Sequence, residues 1–454
     1  MNTAIELARP ASANRRVLGA ASAVTMATIA VKLAGALKEL TIASFYGRSD
    51  AYEAFLTAAL VPALLVNLIS ESMSQALVPT LVRVRECHGR ERAQQLLSNG
   101  LVATTSLLVL VSLVMAVSAR WFFPLLGSHF AGTKLDLAEH LFYGLLPVVF
   151  LAGIASNCTA VLNTTGRFGL PALAPIVGPV SVIAVISCET RPGIWAMVYA
   201  TVAAGLIQLL CVAGMMQRGG YRFSLRWHGL DASTMEVASQ YGPVILSGVV
   251  ASGGLLVDQV MAAMLPAGSV AALAYGGRFV SVALALLGGS VASAVTPVFA
   301  EMTARSDWEG CRRSLRSWGW ASAGAAALVG CALISGSHLL VRLTFQHGAF
   351  SAEDGAAVSL VLKMYAIQIP FFVSSRVFYR FLIAMRRTDL VFYCGLVNLV
   401  LDVALNLLLM RSMGVAGIAL ATSLWTISTL AFLGYWSWRV LPRRTEAAMP
   451  ERVG

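Results

Sequence analysis

Charge is scarce in this chain. Asp, Glu, Lys and Arg make up 12% of its 454 residues, while 57% are hydrophobic and the mean hydropathy is +0.75. Soluble domains carry roughly a quarter charged residues, so the deficit excludes a set of soluble domains. The length is better counted in membrane crossings of about 20 apolar residues each. Cysteine lacks a pattern. The seven cysteines are odd in number and scattered, with no CxxC or Cys/His spacing. That excludes a disulfide framework and a zinc site, and leaves small apolar fillers. No Gly-rich phosphate loop ending in Lys is present, so nothing points to ATP, and no catalytic motif stands out. A signal peptide is not expected: Met1 to Arg16 is polar, and the apolar run from Leu18 to Phe45 is too long for one.

What is present is apolar helix. The pattern predicts an all-α polytopic membrane protein with about twelve transmembrane helices, near 18–45, 52–80, 96–124, 137–162, 170–188, 193–216, 234–264, 270–299, 315–344, 356–384, 390–410 and 415–438. Basic residues alternate between the loops. Twenty-one Arg fall at the chain ends and in every second loop, against six Arg and Lys (Arg48, Arg120, Lys134, Arg191, Arg342, Arg411) on the opposite side. The positive-inside rule then puts both termini in the cytoplasm. It also accounts for the net charge of +11 without nucleic acid. Trp318, Trp320, Trp425, Trp436 and Trp438 read as interfacial anchors, and the six histidines as loop or helix-end residues.

The two halves echo each other. Pro79 matches Pro297, Pro147 matches Pro370, and Gly193 with Ala200-Thr201 matches Gly414 with Ala421-Thr422, all at nearly one offset. A spacing of six helices preserves orientation, which predicts two six-helix lobes in a parallel internal repeat. The segments are a cytoplasmic N-terminus (1–17), an N-terminal lobe (18–216), a basic linker (217–233), a C-terminal lobe (234–438) and a cytoplasmic tail (439–454).

Charges inside apolar helices cost about 2.5–3.5 kcal/mol each near the bilayer centre and usually face a watery cleft or a partner. Lys32, Lys38 and Glu39 lie in the first helix and Arg278 in the eighth. Lys32, Gly35 and Glu39 share a face; Lys38 joins them only if the helix bends near Gly35. The plainer alternative is that Lys38 pairs with Glu39 or Glu53 and reaches outward. Glu53 and Glu71 line a cleft or are polar helix ends. Arg376 and Arg380 are near enough to an interface to snorkel. A second set, Asp258, Asn398, Asp402 and Thr422, offers only oxygen ligands, with Asn398 and Asp402 on one face. Such a set suits a hard cation, or forms an interhelical hydrogen-bond cluster holding one protonated Asp.

Several segments carry a resemblance. Gly35, Lys38-Glu39, Phe45-Tyr46-Gly47, Glu53-Ala54-Phe55, Pro62 and Glu71…Ser74-Gln75-Ala76…Val78-Pro79 resemble the first two helices of the MurJ (MviN) lipid II flippase family. That family belongs to the multidrug, oligosaccharidyl-lipid and polysaccharide exporters. Leu256-Val257-Asp258, Tyr275-Gly276-Gly277-Arg278-Phe279 and Phe345-Gln346-His347-Gly348-Ala349-Phe350 resemble its later segments. The departures are specific. Lys32 and Lys38 stand where the family has arginines, Val66 and Asn67 where it has a further arginine pair, and His347 where its F-x-R-G-A-F segment has Arg. Twelve helices are read here against the usual fourteen.

The resemblance implies a non-enzymatic, secondary-active, alternating-access flippase in the bacterial inner membrane, with membrane lipids as partners and expected to be monomeric. Its substrate would be a polyprenyl-diphosphate-linked saccharide, lipid II or a similar peptidoglycan precursor. Lys32, Lys38 and Arg278 would hold the diphosphate, with Glu39, Glu53 and Glu71 beside them. Resemblance also implies a Na⁺ site at Asp258, Asn398, Asp402 and Thr422, with the Ile418 carbonyl. A flippase for an exopolysaccharide or O-antigen oligosaccharide is the alternative within the class. A drug/cation antiporter predicts an acid-dominated cleft, and a scaffold predicts no such charged sets.

Overall fold

The computed structural model describes residues 9–126, 132–164, 172–188, 193–346 and 348–441. Every regular element among them is helical. Helix α1 spans Arg9–Tyr46 and α2 spans Asp50–Leu65, capped by Ser49, whose hydroxyl accepts the Tyr52 N–H. A π-helical turn, Val66–Glu71, leads into α3, Ser72–Leu126. Two helical arms meet inside α3 at Gly89, whose φ of 82° strongly disfavours any residue with a Cβ.

Helix α4 is Gly132–Thr164, α5 Val177–Cys188 after a short 3-10 turn at Ala174–Ile176, and α6 Ile194–Arg218. Helix α7 is Ala232–Ala263, α8 Ser269–Ala304 and α9 Trp308–Thr344. The predicted helix 356–384 is broken into α10, Ala352–Ala366, and α11, Ile369–Ala384. Pro370 sits in the first turn of α11, where its missing N–H costs nothing. A capping box between Ser351 and Asp354 starts α10. Helices α12, Thr388–Met413, and α13, Val415–Val440, complete the described chain.

Among the described residues, nine stretches are long and apolar enough to cross a membrane. The difference from the predicted twelve has three sources. Asp50–Pro124 counts once across the Gly89 bend, Ala174–Cys188 is short, and α1 is not among the nine. The chain is a multi-pass, all-α membrane protein.

It divides into two compact units, Met1–Val249 and Val250–Gly454. In the first, α4 packs against α2, α3 and α6, while α5 packs on α1 and α6. One of its cores gathers Leu77, Leu97, Leu101, Val161 and Met216. In the second, α11 packs against α8, α9 and α13, with α12 alongside α13. Phe299, Cys311, Leu315, Phe381 and Leu433 fill that core.

Candidate functional site

The second unit buries a polar cluster in an otherwise apolar helix packing. Asp258 comes from α7, Thr422 from α13, and Asn398, Asp402 and Asn406 step along one face of α12 at four-residue intervals. Asp258, Asp402, Asn406 and Thr422 are all buried. Asn406 Nδ2 donates to Asp258 Oδ1 at 2.8 Å and to Asp402 Oδ1 at 3.2 Å. The Thr422 hydroxyl lies 2.9 Å from Asp258 Oδ2 and 3.2 Å from the Ile418 carbonyl. Sequence reasoning stopped at Asp402 and missed Asn406. The signal was there, since the Asn398 to Asp402 step repeats once more.

Three oxygens of this stripe are buried and without a hydrogen-bond partner among the described residues: Asn398 Oδ1, Asp402 Oδ2 and Asn406 Oδ1. Asn398 turns its amide nitrogen away, 3.8 Å from Cys394 Sγ. Leaving buried acceptors unmatched is costly. Asn406 Nδ2 bridges the Asp258 and Asp402 carboxyls. Two such groups in a dry interior need a proton or a cation between them. Gly254, one turn before Asp258, keeps the space open, because a Cβ there would lie 3.2 Å from Asp402 Oδ2. Among the described residues, no three His, Cys, Asp or Glu side chains converge. The donors are therefore carboxylate, amide and hydroxyl oxygens, which fit a hard cation.

The first unit holds its acids differently. Glu39 is buried, with Lys38 Nζ 3.0 Å from Oε1 and the Tyr52 hydroxyl 3.5 Å from Oε2. Lys38 therefore takes up the pairing with Glu39, while Lys32 is exposed. Glu53 is 1% exposed and faces Lys134, whose Nζ is 2.6 Å from Glu53 Oε2 and 2.6 Å from Asp50 Oδ1. This corrects the placement of Lys134 in an outer loop. Helix α4 starts at Gly132, five residues before the apolar pattern begins, so Lys134 occupies its first turn and is buried. Glu71 is exposed and accepts from the Ser156 hydroxyl at 3.0 Å.

The π-helical turn that ends at Glu71 interrupts the regular ladder, a local form frequent at functional sites. Its Ile69 carbonyl accepts the Tyr241 hydroxyl at 3.2 Å, and its Ser70 carbonyl accepts Ser74 Oγ at 2.9 Å.

Arg278 lies exposed on α8. On the same helix Tyr275 is buried against Phe345 and Phe350, with ring centroids 5.1 and 5.7 Å away. Two segments singled out by resemblance thus pack together, although His347 lies outside the described residues. Arg376 sets its guanidinium 4.0 Å from the Phe372 ring centroid and 5.7 Å from that of Tyr379. Cation–π contact therefore accompanies any snorkelling.

The family model for "Lipid II flippase MurJ" matches residues 42–449. The probable lipid II flippase MurJ of Buchnera aphidicola subsp. Acyrthosiphon pisum (strain APS) is 23% identical over 411 residues, covering 88% of this chain and 80% of its own length. A solved lipid II flippase MurJ in an inward closed conformation superposes with a TM-score of 0.78 at 20% identity, over 92% of this chain and 88% of that one. An inward-facing multidrug resistance transporter of the MATE family superposes with a TM-score of 0.77 at 13% identity, over 92% and 96%. At those identities the two structures speak for the fold alone. The sequence match across residues 42–449 decides the family: this chain is a member of the MurJ lipid II flippases.

Proposed function

We propose that this protein is a secondary-active, alternating-access flippase carrying a polyprenyl-diphosphate-linked saccharide, lipid II or a close peptidoglycan precursor, across the bacterial inner membrane. The family match over residues 42–449 carries this reading. The chemistry agrees with it. Moving a diphosphate past the hydrocarbon requires cations that replace lost hydration, yet bind weakly enough to release it. Lys32 and Arg278 are the residues assigned to that task, with Lys38 held by Glu39 as a secondary contact.

Asp258, Asn398, Asp402 and Thr422, joined by Asn406, form the proposed Na⁺ site. The unmatched oxygens of Asn398, Asp402 and Asn406 support it. Sodium bound there supplies the positive charge that lets both carboxylates stay ionised. Asp258 ties α7 to α12 and α13 through Asn406 and Thr422, so the protonation of this one carboxyl affects three helices.

The proposal includes twelve transmembrane helices in two repeat-related lobes, 18–216 and 234–438, with the linker 217–233 and both termini in the cytoplasm. External labelling of Ser224→Cys in intact cells would overturn that orientation. The function is tested in proteoliposomes, by flipping of a diphosphate-linked polyprenyl sugar beside an uncharged polyprenyl sugar. Transport of the charged lipid alone is expected. Equal handling of both would remove the cations from the mechanism.

A further inference from the structure

Between α6 and α7, residues 219–231 form a non-helical strap lying along α3. Its backbone is held by α3 side chains. Arg90 Nη2 donates to the Gly219 carbonyl at 2.8 Å, and Gln94 both accepts from the Arg222 N–H at 2.9 Å and donates to its carbonyl at 2.7 Å. Ser98 Oγ lies 2.7 Å from the Arg226 carbonyl and accepts its N–H at 3.0 Å. Asn99 accepts the His228 N–H at 2.8 Å and donates to the Gly229 carbonyl at 2.9 Å. Gly220 is needed at the entry, since its φ is +84° and a Cβ would collide with the Arg90 guanidinium.

With its backbone satisfied from one side, the strap packs Tyr221 into the core and turns other side chains outward. Arg222 and Arg226 are exposed, and Leu225, Trp227 and Leu230 are 49%, 50% and 67% exposed. The strap joins the ends of two membrane-crossing helices, which places it at a membrane surface. Alternating guanidinium and large apolar groups is the composition that interfacial anchors use. Trp227 and Leu230 line an apolar cavity of about 220 Å³. Leu77, Ala103, Leu107 and Tyr241 also line it. Leu107 is eight residues beyond Asn99 on α3, so the cavity runs on the order of 12 Å along the helix.

We propose that this is a binding site for an anionic phospholipid. The phosphate is held by Arg222 and Arg226, and one acyl chain passes Trp227 and Leu230 into the cavity along α3. Charge selects the headgroup and the cavity selects the chain. A zwitterionic lipid offers the same chain, but its own ammonium competes with the two guanidinium groups.

Trp227 makes the test spectroscopic. The full chain is reconstituted in phosphatidylcholine vesicles containing increasing fractions of acyl-brominated phosphatidylglycerol or acyl-brominated phosphatidylcholine. Quenching assigned to Trp227 is the difference between the wild type and Trp227→Phe. Half-quenching is expected at a phosphatidylglycerol fraction on the order of tenfold lower than for phosphatidylcholine, with the preference weakened by salt. Arg222→Gln with Arg226→Gln, both at exposed positions, should abolish the preference while leaving the fold intact. Ala103→Phe should reduce quenching by both lipids by filling the cavity. Equal quenching by the two lipids in the wild type, or a preference untouched by the double Gln variant, would overturn the proposal. Displacement of brominated phosphatidylglycerol by equimolar polyprenyl diphosphate would overturn it too, assigning the groove to an isoprenoid tail.

Discussion

The Lys134 ammonium closes on the Glu53 carboxylate, Nζ to Oε2 2.6 Å, with both side chains buried. The pair ties the first turn of α2 to the first turn of α4. Removing one partner from a buried pair leaves the other uncompensated, at about 3–5 kcal/mol. Lys134→Met should lower unfolding stability by an amount of that order in detergent, and Glu53→Gln by less, because Asp50 still faces the ammonium. The double variant should recover part of the loss. Strictly additive single effects in a double-mutant cycle would show that the two groups are not coupled.

Sodium should raise the melting temperature of the wild type relative to K⁺ or choline. Asp402→Asn should weaken that shift, and so should Gly254→Ala, which brings a methyl to 3.2 Å from Asp402 Oδ2. Binding requires deprotonated carboxylates, so sodium affinity should rise with pH and fall on acidification. Absence of a sodium shift in the wild type would leave a hydrogen-bond cluster in place of an ion site.

Replacing Lys32 or Arg278 by Gln deletes a charge but keeps a polar side chain. Charge-assisted hydrogen bonds contribute about 1.5–3 kcal/mol, so affinity for a diphosphate-linked polyprenyl sugar should drop about tenfold or more. Lys32→Arg should retain function. Lys38→Gln should affect substrate less but destabilise α1, because it removes the ammonium that faces the buried Glu39 carboxylate. A Lys32→Gln/Arg278→Gln variant with normal flipping would dismiss both cations from substrate binding.

Asp231 caps α7 by accepting the Thr234 N–H at 2.9 Å. Its bond to Thr234, first, and the nearby Arg92 hold its carboxyl below the ordinary range, against a smaller opposing effect of burial. A depressed folded-state pKa contributes stability above the unfolded value near 3.9, and that stability is lost as pH falls through the folded one. Asp231→Ala should therefore cost about 0.5–2 kcal/mol at neutral pH and less once the wild-type carboxyl is protonated. Urea unfolding at pH 7 and pH 3 compares the two.

Apolar runs announced most helices, because lipid demands continuous hydrophobic stretches whatever their packing. Ends were harder to place. Lys134 made the start of α4 look like a loop, and only the partners Glu53 and Asp50 show why a charge is tolerated there. Asp258 and Asp402 were visible as acids out of place, but their link through Asn406 depends on how α7 meets α12. The grip of Gln94, Ser98 and Asn99 on the strap joins residues nearly 130 positions apart, and no local pattern encodes it.

That grip falls on the main chain of residues 219–229, so it asks little of their side chains beyond Gly220 and the core-packed Tyr221 and Phe223. Mutational tolerance should therefore be lopsided. Gln94, Ser98 and Asn99, which read a backbone, should resist replacement in a saturation library selected for folding. Arg222, Leu225 and Arg226 should accept many residues there, leaving the outward face of the strap free to diversify without refolding the protein around it.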